Sequence, residues 1–424
     1  KMAQNGRILI LQEPARLINL RPIAPKGPPD LACASSRNIF APYNLYPGLI
    51  MTKSRSLQIF FFIAIMSIFA CRRTGIETPT TLPNPDPLPT SEGVVQNKAL
   101  WDLVREEIDN ADFEEITVII GDKTGNLFSY SKGASSPDKI YALASASKWL
   151  SSATIMRLVE QGILDLEDHP QKYIPWWTND PADPRSQVTL AHLLSFTSGF
   201  NLGAFESSCV GDRKTTLDAC GQILYEEYFE FSPSTTFYYG PAHLHIAALM
   251  AEYATGKDYN AIFQEQIANP LGLNPGTGFF TPSLENPRAA GGASSTPNDY
   301  ARFLQAIISG EILSDSFELM ITDHTPTSSV IIDTSPVTRQ GYEWHYGFGL
   351  WRECLSKTWQ PDCTKNIFIS SPGAFGWYPW IDLENEYYGL IAVEEKIRIL
   401  NRPSEESVEF GILLRPLIEA ALEN

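Results

Sequence analysis

The 424-residue chain is 43% hydrophobic and 19% charged, with a formal net charge of −17. Its basic excess lies at the front, where residues 1–70 carry eight Lys or Arg against Glu13 and Asp30, leaving −23 for the remainder. So acidic a surface repels nucleic acid and anionic membrane faces, and no zinc-ligand spacing or His-Glu-x-x-His run occurs, so small-molecule partners are expected, with no metal and no cofactor.

Residues 1–50 contain Pro-rich stretches without sustained periodicity and precede Met51, so they read as an upstream extension from a mis-set start codon rather than a domain. The run MTKSRSLQIFFFIAIMSIFAC, residues 51–71, has a basic start, an apolar core too short for a comfortable membrane span, and small Ala70 before Cys71. That is the pattern of an export signal. Its ending resembles a bacterial lipoprotein signal, which implies lipidation of Cys71, although Phe69 stands where a small residue is usual. Arg72, in place of an Asp, implies by the same resemblance a periplasmic protein anchored to the outer membrane. Residues 72–94, rich in proline and threonine, read as an extended tether. The remaining residues, 95–424, suit a two-lobed enzyme with a cleft.

Within that region NKALWDLVREEIDNA predicts an amphipathic helix, and EEITVIIGDKTGNLFSYSKG two strands joined by a Lys-Thr-Gly-Asn turn. In YALASASKWLSSATIMRLVEQG, residues 141–162, apolar residues recur at helical spacing up to Gly162 in C-cap position. Ser145 opens this buried amphipathic helix. Lys148 stands one turn below it, within reach of the hydroxyl proton, and apolar surroundings lower a lysine pKa as a general base requires. An N-cap serine with a snorkelling lysine is the plainer reading of the same tetrad. Ser136-Pro137-Asp138-Lys139 repeats the pattern inside the turn-forming run SKGASSPDK and reads as a loop.

From there to about residue 315 the pattern is helical, in VTLAHLLSFTSGF, HLHIAALMAEYATGKDYNAIFQEQI and TPNDYARFLQAIISGE. Strand signals return in YGFGLW, NIFISSPG, WYPWID and EYYGLIAVEE, before the closing helix SEESVEFGILLRPLIEAALE. This order predicts an α+β fold: one antiparallel sheet built from N- and C-terminal strands, flanked by helices, with a mostly helical lobe inserted and the cleft between the lobes. Cys209 with Cys220, and Cys354 with Cys363, are the natural bridges in an exported chain.

Six blocks in order, among them ASASKWLSSATIMRLVEQGILDLEDHPQKYIP, PSTTFYYGPAHLHIAALMAEYATG and AAGGASSTPNDYARFL, resemble the serine β-lactamase and penicillin-binding protein superfamily. The likeness is to its branch of class C-like esterases and D-amino-acid-specific peptidases, over nearly all of 95–424, and it implies a β-lactamase/transpeptidase-like fold. It also implies that Ser145 is the nucleophile and that Lys148 and Tyr239 are a coupled pair moving its proton. Tyr239-Gly240-Pro241 stands where relatives carry Tyr-x-Asn, and Pro241 has no side-chain hydrogen bond with which to hold a substrate amide. Ser371-Pro372-Gly373 corresponds to Lys-Thr-Gly or His-x-Gly. Ser371 supplies no cation for a β-lactam carboxylate, Gly373 keeps the backbone approach open, and the Ala374 N–H joins that of Ser145 in an oxyanion hole. Trp377, Tyr378 and Trp380 either line an acyl or alcohol pocket or are plain core. His192 reads as structural, and His243 and His245, which flank the Tyr239 turn, are weaker candidates for substrate contact, with a structural role the plainer reading. The nucleophile-elbow pattern of α/β-hydrolases is absent. The expected function is an exported serine hydrolase, esterase-like, working through an acyl-enzyme on Ser145. The alternatives are a D-amino-acid peptidase or weak β-lactamase on cell-wall-like substrates, and a catalytically silent cell-wall-binding module.

Overall fold

The computed structural model describes residues 91–203, 208–325, 330–332, 336–365, 367–395 and 402–423. They belong to one unit, Pro83–Asn424. The upstream extension, the export signal, Cys71 and most of the tether lie outside the described residues.

Helix α1 (Ser91–Asn110) starts inside the last four residues of the expected tether, because the prolines that would interrupt it end at Pro89. The predicted hairpin follows as β1 (Ile116–Asp122) and β2 (Gly125–Lys132), turning at Lys123-Thr124. Ile116–Gly121 are buried throughout, so β1 reads as an unbroken apolar run rather than an alternation. Helix α2 (Ser147–Glu160) comes next, then α3 (Ala242–Thr255), stopped by Gly256 at φ 68°, and α4 (Pro297–Ile308), capped by Thr296. The late strand signals become β3 (His345–Tyr346), β4 (Trp351–Glu353), β5 (Phe368–Ser370), β6 (Tyr378–Asp382) and β7 (Tyr387–Ala392), before α5 (Pro403–Leu422).

The seven strands form one antiparallel sheet in the order β2-β1-β7-β6-β5-β4-β3. The N-terminal hairpin is thus completed by the last strand of the chain, with Thr117 opposite Ala392 and Asp122 opposite Tyr387. Helices α1 and α5 pack on each other, and α4 packs on β7 and β1. The residues between β2 and β3 supply the predicted helical insertion, with α2 and α3 in mutual contact.

Two expectations change in detail. VTLAHLLSFTSGF is helical only over Leu190–Leu194, because Phe196 takes φ 60° and Gly199 φ 100°, conformations that end a right-handed helix. YGFGLW is not one strand but β3 and β4 joined through Gly349 at φ 73°. Among the described residues, no helix is long and apolar enough to cross a membrane.

Candidate active site

Tyr141 and Ala142 pair with Ser295 and Ser294, and the Leu143 N–H donates to the Ala293 carbonyl at 3.0 Å. Ala144 then adopts φ 46°, a left-handed conformation that an alanine takes only under tertiary constraint, and reverses the chain into a single 3₁₀ turn, Ala144–Ala146. Ser145 lies in that turn. Helix α2 therefore begins two residues later than the sequence suggested, and no side chain caps either the turn or the helix. The half-buried Ser145 hydroxyl instead meets Lys148, whose Nζ stands 3.0 Å from Ser145 Oγ and donates to the Ala290 carbonyl at 2.8 Å.

Lys148 is 3% exposed. Burial pushes its pKa well below the usual lysine range, and the positive charge of Arg288 pushes in the same direction. Helix α2 is buried on nearly all sides, and three of its polar residues bond to one neighbouring segment. Ser147 Oγ accepts from the Ala293 N–H at 3.0 Å, and Ser151 Oγ donates to the Ala289 carbonyl at 2.6 Å. Together with Lys148 they fasten the helix to residues 289–293.

Tyr239 is buried, with its ring face 4.8 Å from Lys148 Nζ. Trp351 stacks on that ring at 5.2 Å, and Phe196 and Tyr346 close its sides. The turn behind it requires glycine, since a Cβ on Gly240 would lie 2.0 Å from the Leu202 carbonyl oxygen. Pro241, also buried, occupies the N-cap of α3 and offers no side-chain cap.

A third segment closes on the same turn. Beyond β5, Ser371 Oγ donates to the Ser145 carbonyl at 3.3 Å. A Cβ on Gly373 would fall 2.2 Å from the Leu143 carbonyl oxygen, so this close approach also depends on glycine. The Gly373 N–H is used within its own turn, donating to Trp377 O at 2.6 Å, with half-buried Ala374 next in the chain. Ser145, Lys148, Tyr239, Ser371, Gly373 and Ala374 are thus brought to one place.

Other predicted residues lie elsewhere. Trp377 is wholly buried between Tyr141 and Tyr300, each at 5.7 Å, in the position of a core residue rather than a pocket lining. Tyr378 and Trp380 are likewise buried. His243 turns inward, because both ring nitrogens are engaged. Nε2–H donates to Tyr238 O at 2.8 Å, which leaves Nδ1 to accept from Ser198 Oγ–H at 2.7 Å. Burial lowers its pKa to about 3. His245 donates from Nε2 to Leu217 O and is lowered to about 4 by burial, so neither imidazole reaches the cleft. His192 forms a capping box with Thr189. Ser136 accepts from the Asp138 N–H in a loop, while Lys139 pairs with Glu115, so that tetrad holds no second site.

Cys209 and Cys220 are bonded at an S–S distance of 2.04 Å, and Cys354 and Cys363 are paired with Cα atoms 5.2 Å apart. Among the described residues, no cluster of three or more His, Cys, Asp or Glu side chains could hold a metal. The sequence pattern did not single out Arg288, half-buried just ahead of the AAGG run, whose charge reaches Lys148.

The β-lactamase family profile matches residues 102–396. The D-alanyl-D-alanine-carboxypeptidase/endopeptidase AmpH of Escherichia coli K12 is 26% identical over 202 residues, 42% of this chain and 51% of that protein. Esterase EstB of Burkholderia gladioli is 28% identical over 148 residues, 32% of this chain and 38% of that protein. The chain therefore spans about half the length, or less, of these curated relatives. A Bacteroides dorei DSM 17855 crystal structure that carries the β-lactamase name is 26% identical, with a TM-score of 0.63, covering 77% of this chain and 98% of that one.

Proposed function

Because this chain belongs to the β-lactamase family, whose members are serine hydrolases, we propose that it cleaves esters through an acyl-enzyme on Ser145. The observation that carries this reading is the 3.0 Å approach of the buried Lys148 Nζ to Ser145 Oγ. As a neutral amine, Lys148 takes the Ser145 proton while Oγ bonds to the ester carbon. The N–H groups of Ser145 and Ala374 stabilise the oxyanion. Lys148 and the Tyr239 hydroxyl pass the proton to the leaving alkoxide as its C–O bond breaks. Water then attacks the acyl carbon, gives a proton to the same pair, and Ser145 departs as a hydroxyl by taking that proton back.

An ester fits this site better than a β-lactam or peptide, since Pro241 offers no donor to a substrate amide and Ser371 no charge to a carboxylate. The likeness to AmpH supports a second reading, hydrolysis of D-amino-acid peptides. We place the enzyme outside the cytoplasm, lipid-anchored through Cys71; two cysteine pairs at bonding distance suit an oxidising compartment.

Intact-mass spectrometry after treatment with a fluorophosphonate tests the nucleophile. One adduct, retained in Ser136→Ala and lost in Ser145→Ala, is the expected result. An adduct lost in Ser136→Ala instead, or none at all, would overturn the mechanism. Turnover of p-nitrophenyl butyrate well above that of nitrocefin and D-Ala-D-Ala peptides supports the esterase, and the reverse order the peptidase.

A further inference from the structure

The carbonyl that receives Lys148, that of Ala290, belongs to a turn anchored at both ends. The Gly291 and Gly292 N–H groups donate to the Arg288 carbonyl at 3.0 and 2.6 Å, which closes residues 288–292 tightly. Ahead of the turn, the Arg288 N–H donates to the Thr281 carbonyl at 2.9 Å, and the wholly buried Asn286 donates through Nδ2 to the Cys209 and Asp212 carbonyls at 3.0 and 2.9 Å. Behind it, Thr281 Oγ1 donates to the Gly292 carbonyl at 3.0 Å. The Ala293 N–H donates to Ser147 Oγ, and the Ala293 carbonyl accepts from the Leu143 N–H, each at 3.0 Å.

Between these anchors the middle of the turn is held from α2. Ser151 Oγ donates to the Ala289 carbonyl at 2.6 Å, and Lys148 Nζ to the next one, Ala290, at 2.8 Å. Ser151 is wholly buried and stands three residues after Lys148, on the same helical face. A serine or threonine inside a helix commonly bonds back to the carbonyl four residues earlier, as the equally buried Thr154 does to Leu150 O at 2.8 Å. Ser151 instead crosses to a segment 138 residues away.

The direction of the Ala290 carbonyl matters because a neutral amine has two N–H groups and a single lone pair. Ala290 O can only accept, so it takes one N–H. The electron-rich face of the Tyr239 ring, 4.8 Å from Nζ, attracts the other. The lone pair is left for Ser145 Oγ at 3.0 Å, the orientation in which it accepts the hydroxyl proton. We propose that Ser151 is a positioning residue for this proton transfer: by holding the Ala289–Ala290 peptide it aims the Lys148 lone pair at Ser145. This rests on the acyl-enzyme reading of Ser145.

The experiment measures kcat/KM for p-nitrophenyl butyrate against pH on the wild type, Ser151→Ala, Ser151→Cys and Thr154→Val. Ser151→Ala leaves the Ala289 carbonyl without its donor, and the plateau is expected to fall about 10–10²-fold. Ser151→Cys, a weak donor of similar volume, should lie between Ala and wild type, and it carries the same comparison should the Ala variant fail to fold. A fixed carbonyl favours an ammonium more than a neutral amine, so loosening it should also move the acid limb, where Lys148 takes up its proton, to lower pH. Thr154→Val loses a buried hydroxyl that bonds within its own helix and should keep both plateau and limb. An unchanged plateau in Ser151→Ala would overturn the proposal. A fallen plateau with the limb in place, or an equal loss in Thr154→Val, would also overturn it, since Ser151 would then only fasten the helix. Fluorophosphonate labelling is scored in parallel. Complete but slowed labelling of Ser145 is expected in Ser151→Ala; labelling at the wild-type rate sinks the positioning role alone, and a wild type left unlabelled sinks the nucleophile.

Discussion

A lysine as deeply placed as Lys148 loses most of its ammonium hydration, a penalty of several kcal/mol. Arg288 adds like-charge repulsion, while the Tyr239 ring face favours the charged form by about 0.5–2 kcal/mol. Burial is the largest of these, so the amine gives up its proton well below the usual lysine range. Since catalysis needs the neutral amine, kcat/KM should rise with pH along a limb set by Lys148. Arg288→Gln removes a positive neighbour and should move that limb to higher pH, read with a neutral ester; an unmoved limb would show that Arg288 is screened from Lys148. Tyr239→Phe keeps the ring against Trp351 but loses the hydroxyl, and a fall in kcat of about 10²–10⁴ is expected, measured on p-nitrophenyl butyrate. The Ser145–Lys148 pairing was legible because a spacing of three puts both side chains on one face of a helix. Arg288 was not, because its approach comes from the Thr281–Gly292 fold-back and leaves no local pattern. The partners that turn His243 inward were hidden for a related reason: Ser198 and the Tyr238 carbonyl lie on other segments.

At the scale of elements, the site is where three backbone turns touch, and glycine sets the spacing. Gly373→Ala would put a methyl against the Leu143 carbonyl oxygen, an atom that a rigid turn cannot move aside. The Ala374 turn should be pushed from Ser145, with kcat falling by about 10²–10³, as when one oxyanion donor is lost, and KM changing little. Unchanged kcat would mean that Ala374 takes no part. Helix α3 makes a prediction about pH. His243 and His245 titrate at about 3 and 4 when folded, below the 6.5 of free histidine, so the unfolded chain binds more protons as pH falls through that interval. Stability should therefore drop from pH 6.5 downward. Glu252 on the same helix, raised to about 7 by burial, opposes this between its ordinary 4.5 and about 7, being favoured in acid. Thermal melting of wild type and His243→Gln isolates one histidine: the wild-type advantage at pH 7.5 should shrink at pH 4.5, and a constant difference would contradict the burial argument. The sequence showed α3 as a helix through its apolar run and Gly256, yet gave no sign that its two histidines face inward.

The order of strand signals at the two ends of the chain foretold one sheet for the whole molecule, but the pairing of β1 with β7 depends on long-range register that local pattern does not encode. A second long-range feature lies at the far end of that sheet. Arg415 of α5, which interrupts the apolar run LLRPLIE, is 2% exposed and lies 2.5 Å from Glu353 on β4. Tyr378 Oη donates to the same carboxylate at 2.7 Å and is also met by Arg415, whose guanidinium lies over the Phe368 ring at 4.5 Å. Strand β4 carries Trp351 as well, the residue stacked on Tyr239, and pairs with β5, which leads directly into Ser371. The C-terminal helix is thus coupled through one strand to two walls of the site. Arg415→Met leaves Glu353 buried without its counter-charge and should cost about 3–5 kcal/mol, whereas adding Glu353→Gln removes the stranded charge and should restore much of that loss. Denaturant unfolding of the two single variants and the double variant measures the coupling. Strictly additive losses would mean that the two groups are neighbours without being partners. Because β4 holds both Trp351 and the register of β5, the Arg415→Met protein, assayed well below its melting point, should also lose kcat, and the double variant should regain it.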